Sequence, residues 1–398
     1  MRTISLKLFM VFSLFFPAFW STFSEDYKME YYAVFTAAYG AVLLYLLFSA
    51  RKGEWKKGER FPLVLAGILL LYNVFALFFN VRCQHWYGEQ VNNTIAVLFF
   101  LCLCLQKDGF DGKREELIRF FLGCAVLSNI LSIAYYFAGY TSFLVCNNHL
   151  YFGKLPEDYY EARHYWLYSH KSDYALMLTL FLAAAVKYRK LFKNRILWAG
   201  SLLVFLTAMF LSHSWTGFGA AALVLAGGVL DSVDWKSFHF RKWYPAAGAG
   251  LLAAVAAAGK VFLAERDVLS LGGRRDIWAG AWKEILANPA GWGLQFGERL
   301  FHATPDWEVN NAHNVFLNAL LRFSIPVGVC FILLMLAILG YALWKSRSFL
   351  GTGLVIGLLI LLNMDYCLLN YEMGMFLFVL YLVCVAPAGT DKRSGEKG

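Results

Sequence analysis

Charged residues are scarce in this sequence. They make up 16% of its 398 residues, whereas 59% are apolar and the mean hydropathy is +0.52. A soluble domain carries about 25% charged residues, so this composition excludes an ordinary soluble protein. No polar stretch between the apolar segments is long enough for a soluble domain. The sequence therefore predicts a single membrane domain over residues 1–398, with an all-α polytopic fold.

Several signatures of known chemistry are also missing. The sequence has no C-x-x-C pair, no spacing typical of metal ligands and no glycine loop of the nucleotide-binding type. We therefore expect no cofactor, no metal, and neither ATP nor a nucleotide sugar as substrate. The sequence also lacks a nucleic-acid-binding pattern and the internal repeat that is typical of secondary transporters.

Apolar stretches of membrane-spanning length recur along the whole chain. A bilayer core requires about 20 apolar residues per helix, and about twelve such segments are predicted. Two of them, residues 92–105 and 217–231, are short for a full crossing. The predicted spans are residues 4–22, 31–50, 61–80, 92–105, 119–138, 172–187, 196–212, 217–231, 244–264, 325–344, 349–366 and 371–388.

Lysine and arginine residues accumulate in every second loop. The positive-inside rule makes these loops cytoplasmic and puts both termini on the same side. The net charge of +9 then reflects topology and anionic lipid rather than nucleic acid. The first apolar segment lacks a small-residue cleavage site, so it is interpreted as a retained span, with a signal peptide as the alternative. The basic loops contain Arg51, Lys52, Lys56, Lys57, Arg60, Lys107, Lys113, Arg114, Lys187, Arg189, Lys190, Lys193, Arg195, Lys236, Arg241, Lys242, Lys345 and Arg347.

Two predicted outer loops, residues 139–171 and 265–312, are far longer than a connection requires. Long ordered loops are usually functional, and both are rich in aromatic residues. In the second loop, apolar residues recur at helical spacing from Ile277 to Ile285, which predicts an amphipathic helix at the membrane surface that ends at Asn288–Pro289. Residues 265–312 are therefore predicted to form a large outer loop that contains an amphipathic helix.

Arg274 and Arg275 stand at the predicted N-terminus of this helix, directly after Gly272 and Gly273. Backbone N–H groups and the helix dipole favour an anion at this position, and a phosphate fits it. The alternative is that both arginines reach to lipid headgroups, as interfacial arginines often do.

The second long loop closes on His313 and Asn314 and runs into a predicted short helix over residues 313–323, which Pro326 separates from the next span. Asn314, Asn318 and Arg322 recur at intervals of four and share one helix face. Such a stripe is costly at membrane depth unless it lines a hydrated cavity. His313 is a candidate general base or phosphate ligand, although a lone histidine is more often structural.

Other cationic candidates lie on the same predicted side. Arg163 and His170 are at the end of the first long loop, and His213 is in the short connection from Ser212 to Gly217. These segments predict one cationic cavity that several loops share. Outside the cytoplasm a synthetic reaction needs an activated, membrane-borne substrate, and a polyprenyl diphosphate-linked glycan is such a substrate. Arginine suits its diphosphate because the guanidinium binds phosphate oxygens through paired hydrogen bonds.

Four motifs, in this order, resemble the O-antigen ligase and polymerase superfamily of multi-pass membrane glycosyltransferases. They are Gly273–Trp278 (GRRDIW), Asn288–Leu294 (NPAGWGL), Ala312–Leu317 (AHNVFL) and Ile325–Gly328 (IPVG). The resemblance extends over the chain in span number and orientation, and it implies a GT-C-like fold in a bacterial cytoplasmic membrane with the active site facing outside. It also implies a metal-independent reaction of undecaprenyl diphosphate-linked oligosaccharides, with other polysaccharide-export proteins as potential partners.

The resemblance also assigns roles to individual residues. Arg274 corresponds to the loop arginine that binds the lipid diphosphate, and His313 to the loop histidine that activates the acceptor. By the same reasoning Arg275, Arg163, His170, Asn314, Arg322 and Trp278 are candidate substrate-binding residues. One position departs from the family: Trp215 replaces a second arginine in a segment that many members read as S-R-T-G, so Arg163, Arg275 or Arg322 must supply that charge, or the donor differs, or activity is lost.

Three readings remain open besides the preferred one, a polymerase that joins repeat units of O-antigen or capsular polysaccharide on their lipid carrier. A ligase would transfer the finished glycan to a lipid or protein acceptor. A flippase of lipid-linked glycans is the hypothesis from another class, which the missing repeat disfavours. A metal-dependent glycosyltransferase with Glu25 and Asp26 as ligands rests on two adjacent carboxylates.

Overall fold

The computed structural model is mostly helical, with two small two-stranded sheets. It describes residues 1–16, 33–83, 88–107, 109–146, 149–155, 163–168, 170–233, 272–293, 299–364 and 372–386. The helices in these residues are α1 (Arg2–Phe15), α2 (Ala33–Lys52), α3 (Arg60–Cys83), α4 (Gly88–Leu105), α5 (Arg114–Phe137), α6 (Lys171–Lys187), α7 (Arg195–Leu211), α8 (Trp215–Ser232), α9 (Arg274–Ala287), α10 (Val315–Phe323), α11 (Ile325–Ser346), α12 (Phe349–Met364) and α13 (Glu372–Leu380), which continues into a π-helical turn over Tyr381–Val385.

Five of the described helices are long and apolar enough to cross a bilayer, so the chain is a membrane protein. They are Arg60–Val81 within α3, α4, α5, α8 and α11. The two predicted spans that are short for a full crossing lie in α4 and α8. Each of these helices has 18 residues. The predicted span 244–264 and the candidate metal ligands Glu25 and Asp26 lie outside the described residues.

Helices α8 and α12 pack with their backbones in close approach because small residues line the contact. A Cβ atom on Gly353 would lie 2.3 Å from the Leu223 carbonyl oxygen, and one on Gly227 would lie 2.4 Å from the Phe349 carbonyl oxygen. Small residues permit such packing between membrane helices, where the lipid supplies no hydrophobic drive for association. A larger side chain at either glycine would force the two helices apart.

One end of the helix bundle is held together by ion pairs, and we call it the paired end. Arg2 contacts Asp111 and lies 3.2 Å from Glu54, Lys7 lies 2.5 Å from Glu116, and Lys345 lies 3.4 Å from Glu59. At this end the start of α1 meets the start of α5 and the loop after α2.

The opposite end, which we call the site end, is formed where α5, α7 and α12 finish and where α4, α6 and α8 begin. Two antiparallel hairpins lie in the two long loop segments: β1 (Tyr140–Cys146) pairs with β2 (His149–Lys154), and β3 (Phe301–Thr304) with β4 (Trp307–Val309). The sequence analysis predicts neither hairpin, so the fold is mostly rather than purely α-helical.

The break between α10 and α11 confirms the predicted separate short helix. Ser324 has a φ of +102°, which few residues other than glycine adopt, and Pro326 stands in the first turn of α11. The turn after α9 packs on this break, since Trp292 N–H donates to Leu321 O at 2.7 Å and Ile325 N–H donates to Pro289 O at 3.0 Å. Helices α9 and α10 are therefore fixed relative to each other.

Candidate functional site

Helix α9 begins at Arg274, where the sequence predicts an anion-binding helix N-terminus. Gly273 precedes it with a φ of +81°, and a Cβ atom there would lie 2.7 Å from the Trp307 ring. Glycine is thus required both by the backbone conformation and by the hairpin that packs on it. Arg275 is exposed and Arg274 is half-buried, so the first turn presents two adjacent guanidinium groups.

The Arg274 side chain reaches the end of α12. Its Nε donates to Met364 O at 2.6 Å, one of the carbonyl groups that a helix C-terminus leaves unpaired. This bond orients the guanidinium. Residue 364 is also next to Asn363, which contacts the second candidate, Asn314.

Asn314 organises the start of α10. Its Oδ1 accepts from Phe316 N–H at 2.9 Å and Leu317 N–H at 3.1 Å, as an N-cap does. Its Nδ2 donates to Asn363, at 3.2 Å from Oδ1 and 3.3 Å from O. Arg274 and Asn314 therefore meet at the same end of α12. His313 directly precedes this cap, is half-buried and has a φ of +44°, which holds it in a tight turn.

Trp278 links α9 to the same turn. Its Nε1 donates to Ala312 O at 3.0 Å, and its ring packs against a second core cluster that includes Ile277, Ala281 and Leu321. The contact fixes the residue that precedes His313. The predicted role of Trp278 in binding substrate stays a prediction.

The polar stripe on α10 contacts other groups of the protein. Arg322 lies 2.6 Å from Glu89, with the two side chains 14% and 10% exposed, and Asn318 Oδ1 accepts from Ala312 N–H at 2.8 Å. These contacts give part of the polar face partners within the protein, and the predicted hydrated cavity stays a prediction. The ion pair gives Arg322 a structural partner, and its predicted contact with substrate stays a prediction.

A second group of cations lies where α6 and α8 begin. His170 caps α6, its Nδ1 accepting from Ser172 N–H at 3.2 Å. Burial, followed by the charges of Lys171, His313 and Arg163, lowers the pKa of His170 to about 4. His313 in the second long loop is therefore close enough to affect His170 at the end of the first.

His213 belongs to this group as well. It has a φ of +52° in the turn between α7 and α8, and burial, followed by the charges of Lys171 and Arg163, lowers its pKa. Ser214 caps α8 by accepting from Gly217 N–H at 3.2 Å. Trp215 is 56% exposed.

The predicted residues therefore fall into two sets joined at His313. Arg274, Arg275, Asn314 and Trp278 surround the ends of α9 and α12, whereas Arg163 and His170 lie with Lys171 and His213 at the starts of α6 and α8. Sequence reasoning left Lys171, Asn363 and Glu89 without a role. Lys171 could be identified from the sequence by its position directly after the histidine that caps α6. No sequence signal identifies Asn363 or Glu89.

In the part of the chain that the structure describes, no group of three or more His, Cys, Asp or Glu side chains is arranged to hold a metal ion. The sequence matches no protein-family model and no curated protein. The likeness to the O-antigen superfamily therefore depends on the four sequence motifs alone.

Proposed function

We propose that this protein polymerises polyprenyl diphosphate-linked oligosaccharide repeat units into a surface polysaccharide. The observation that carries the proposal is that Arg274 and Asn314, from two separate motifs, meet at the end of α12, with His313 directly before Asn314. Arg274 and Arg275 also stand at the N-terminus of α9, which favours an anion. A diphosphate attached to a lipid is an anion that a membrane-embedded site can receive.

In this proposal the chemistry is a substitution at the anomeric carbon of the donor sugar. A hydroxyl oxygen of the acceptor repeat unit forms the new bond to that carbon, and the bond from the carbon to the diphosphate oxygen breaks. The polyprenyl diphosphate leaves with the electron pair, and the hydroxyl proton passes to His313 acting as general base. Arg274 and Arg275 stabilise the negative charge that develops on the leaving diphosphate.

The proposed topology places this site outside the cytoplasm of a bacterial cell. About twelve spans with both termini inside put the basic loops in the cytoplasm, and the site end, which lacks those loops, on the outer face. The reaction needs no metal in this scheme, because arginine and lysine side chains balance the diphosphate charge.

The motifs support a polymerase more than a ligase. Ser214–Gly217 (SWTG) retains the S-x-T-G frame, and His170–Asp173 (HKSD) has the H-x-x-(D/N) spacing, which favours the same reading. Transfer of finished glycan to a lipid or protein acceptor remains the alternative within the family, and transport of the lipid-linked glycan remains the alternative outside it.

The experiment is the glycan product of cells that carry Arg274→Ala or His313→Ala. We expect long polysaccharide to disappear while single lipid-linked repeat units accumulate outside the membrane, because removal of one such electrostatic group costs about 10²–10³ in rate. Lys283→Ala is the matched control, since Lys283 is an exposed cation on α9.

Each other outcome has a distinct meaning once membrane abundance has been checked. Long chains that stay on the carrier would indicate the ligase. Repeat units that remain on the cytoplasmic side would indicate the transporter. Unchanged polysaccharide in both variants would show that the assigned residues are wrong.

A further inference from the structure

The end of the first long loop is hydrogen-bonded to two helices and one strand. His164 N–H donates to Leu211 O at 3.2 Å, at the end of α7, and Tyr165 and Trp166 both donate to Thr141 O at 3.1 Å. Trp166 Nε1 also donates to Ser128 Oγ on α5 at 3.2 Å. Residues 163–168 are therefore fixed against α5, β1 and α7.

His164 lies at the centre of these contacts and is fully buried. Its Nε2 is 2.7 Å from Ser132 Oγ, which is 2.6 Å from the Tyr174 hydroxyl, which is 2.7 Å from Asn129 Oδ1. The orientation of the Asn129 amide is set by its Nδ2, which donates to Ala125 O at 2.8 Å. The chain thus links the loop to α5 and α6.

The hydrogen-bond network from His164 to Asn129 has one arrangement of protons that places a hydrogen in each of its three contacts. Asn129 Oδ1 can only accept, so the Tyr174 hydroxyl donates to it. Ser132 then donates to the Tyr174 oxygen and accepts from Nε2–H of a neutral His164. Burial lowers the pKa of His164 to about 4, although hydrogen bonds to Thr141 and Ser132 act against this, so the neutral form is the stable one at physiological pH.

This network fixes the position of Arg163. Because His164 N–H is bonded to Leu211 O, Arg163 lies beside the turn that carries His213. A Cβ atom on Gly217 would lie 2.8 Å from Ala175 Cβ, so the start of α8 also abuts the first turns of α6, which begins with Lys171. Asp173 in the same helix is fully buried. Burial, followed by the charges of groups that include Asp173, raises the pKa of Tyr168.

We propose that Arg163, Lys171 and His213 form a cationic arm that binds the donor diphosphate opposite Arg274, and that His164 is the positioning residue that holds Arg163 in this arm. The inference rests on the proposed function for the identity of the anion. A diphosphate carries two charged groups, and the arm and Arg274 approach it from the two sides of His313. Lys171, His213 and His164 thereby gain roles in the site.

The test is a double-mutant cycle on the affinity of the full-length protein, in lipid nanodiscs, for farnesyl diphosphate. We expect Arg163→Gln and His164→Phe each to weaken binding about tenfold, the scale of one hydrogen bond to a charged group. The double variant should bind no worse than Arg163→Gln, since His164 acts through Arg163. Lys154→Gln, an exposed cation on β2, is the control and should bind as the wild type does.

Two results of this cycle would overturn the inference. One is wild-type affinity in Arg163→Gln and Lys171→Gln, which would exclude the arm. The other is about a hundredfold loss in the double variant, the product of the single losses, which would make His164 a general support of the fold. If His164→Phe fails to reach the membrane, Ser132→Ala replaces it, because it removes only the partner of Nε2.

A second measurement keeps the arm testable if the wild type does not bind farnesyl diphosphate, a result that counts against the proposed function. Arg163→Cys is introduced into a chain with serine at Cys83, Cys146 and Cys367, and its reaction with anionic and cationic thiosulfonate reagents is compared. If residue 163 is held beside Lys171 and His213, their positive potential should make the introduced cysteine react faster with the anionic reagent. That preference should fall in Lys171→Gln and in Ser132→Ala, and an unchanged ratio in both would contradict the arm.

Discussion

The two ends of the helix bundle use positive charge in opposite ways. At the paired end Arg2, Lys7 and Lys345 each lie within 3.4 Å of a carboxylate. At the site end the charges of Lys171, Arg163 and His313 act together on His170 and lower its pKa. Paired cations stabilise the fold, whereas cations that share a space create a potential that attracts an anion.

Arg322 lies at the site end, where it forms an ion pair with Glu89. Arg322→Ala would leave Glu89 buried without its partner, which typically costs about 3–5 kcal/mol. We expect a strongly lowered unfolding temperature and reduced membrane abundance. The double variant Arg322→Met, Glu89→Gln should recover most of the loss, since a neutral pair needs no counter-charge. A single variant as stable as the wild type would place Arg322 with the anion-binding cations instead.

The dependence of stability on pH sharpens the comparison. The pKa of His164 is lowered from 6.5 to about 4 in the fold, so from about pH 6.5 downwards the unfolded chain binds a proton that the folded chain excludes. Stability is complete above pH 6.5 and decreases as pH falls towards 4, by roughly 3 kcal/mol in total for this group. His170 contributes with the same sign.

The measurement is the apparent unfolding temperature of the wild type and of His164→Phe between pH 7.5 and 4. The wild type should lose stability steeply over this range and the variant less so. Equal slopes for the two proteins would mean that His164 is not buried in its neutral form.

The smallest effect is expected at the paired end. Lys7 and Glu116 are 32% and 52% exposed, and exposed ion pairs contribute little to stability. Lys7→Gln should therefore change the unfolding temperature little and leave the amount and length of polysaccharide unchanged. Loss of polysaccharide in Lys7→Gln at normal abundance would remove the functional distinction between the two ends.

Local signals in the sequence predict part of this architecture. Helical spacing after Gly273 and the Asn288–Pro289 stop predict α9, and Pro326 predicts the break between α10 and α11. These features depend on neighbouring residues in the chain, so a sequence pattern contains them.

Contacts between distant segments are not predictable in the same way. The Arg322–Glu89 pair and the chain from His164 to Asn129 join residues whose sequence neighbourhoods give no sign of their partners. The hairpin β1–β2 was missed because its aromatic residues fit an interfacial loop as well as a strand. The partners of Arg322 and Asn318 come from α4 and from Ala312, and the spacing of the polar stripe on α10 does not identify them.

The most direct test of the central claim is reconstitution with the purified protein in lipid nanodiscs and a synthetic polyprenyl diphosphate-linked repeat unit. The account predicts a ladder of longer lipid-linked glycans, with one polyprenyl diphosphate released for each bond formed, and no ladder with Arg274→Ala. Unchanged repeat units with the folded wild-type protein, with and without an added acceptor lipid, would contradict it.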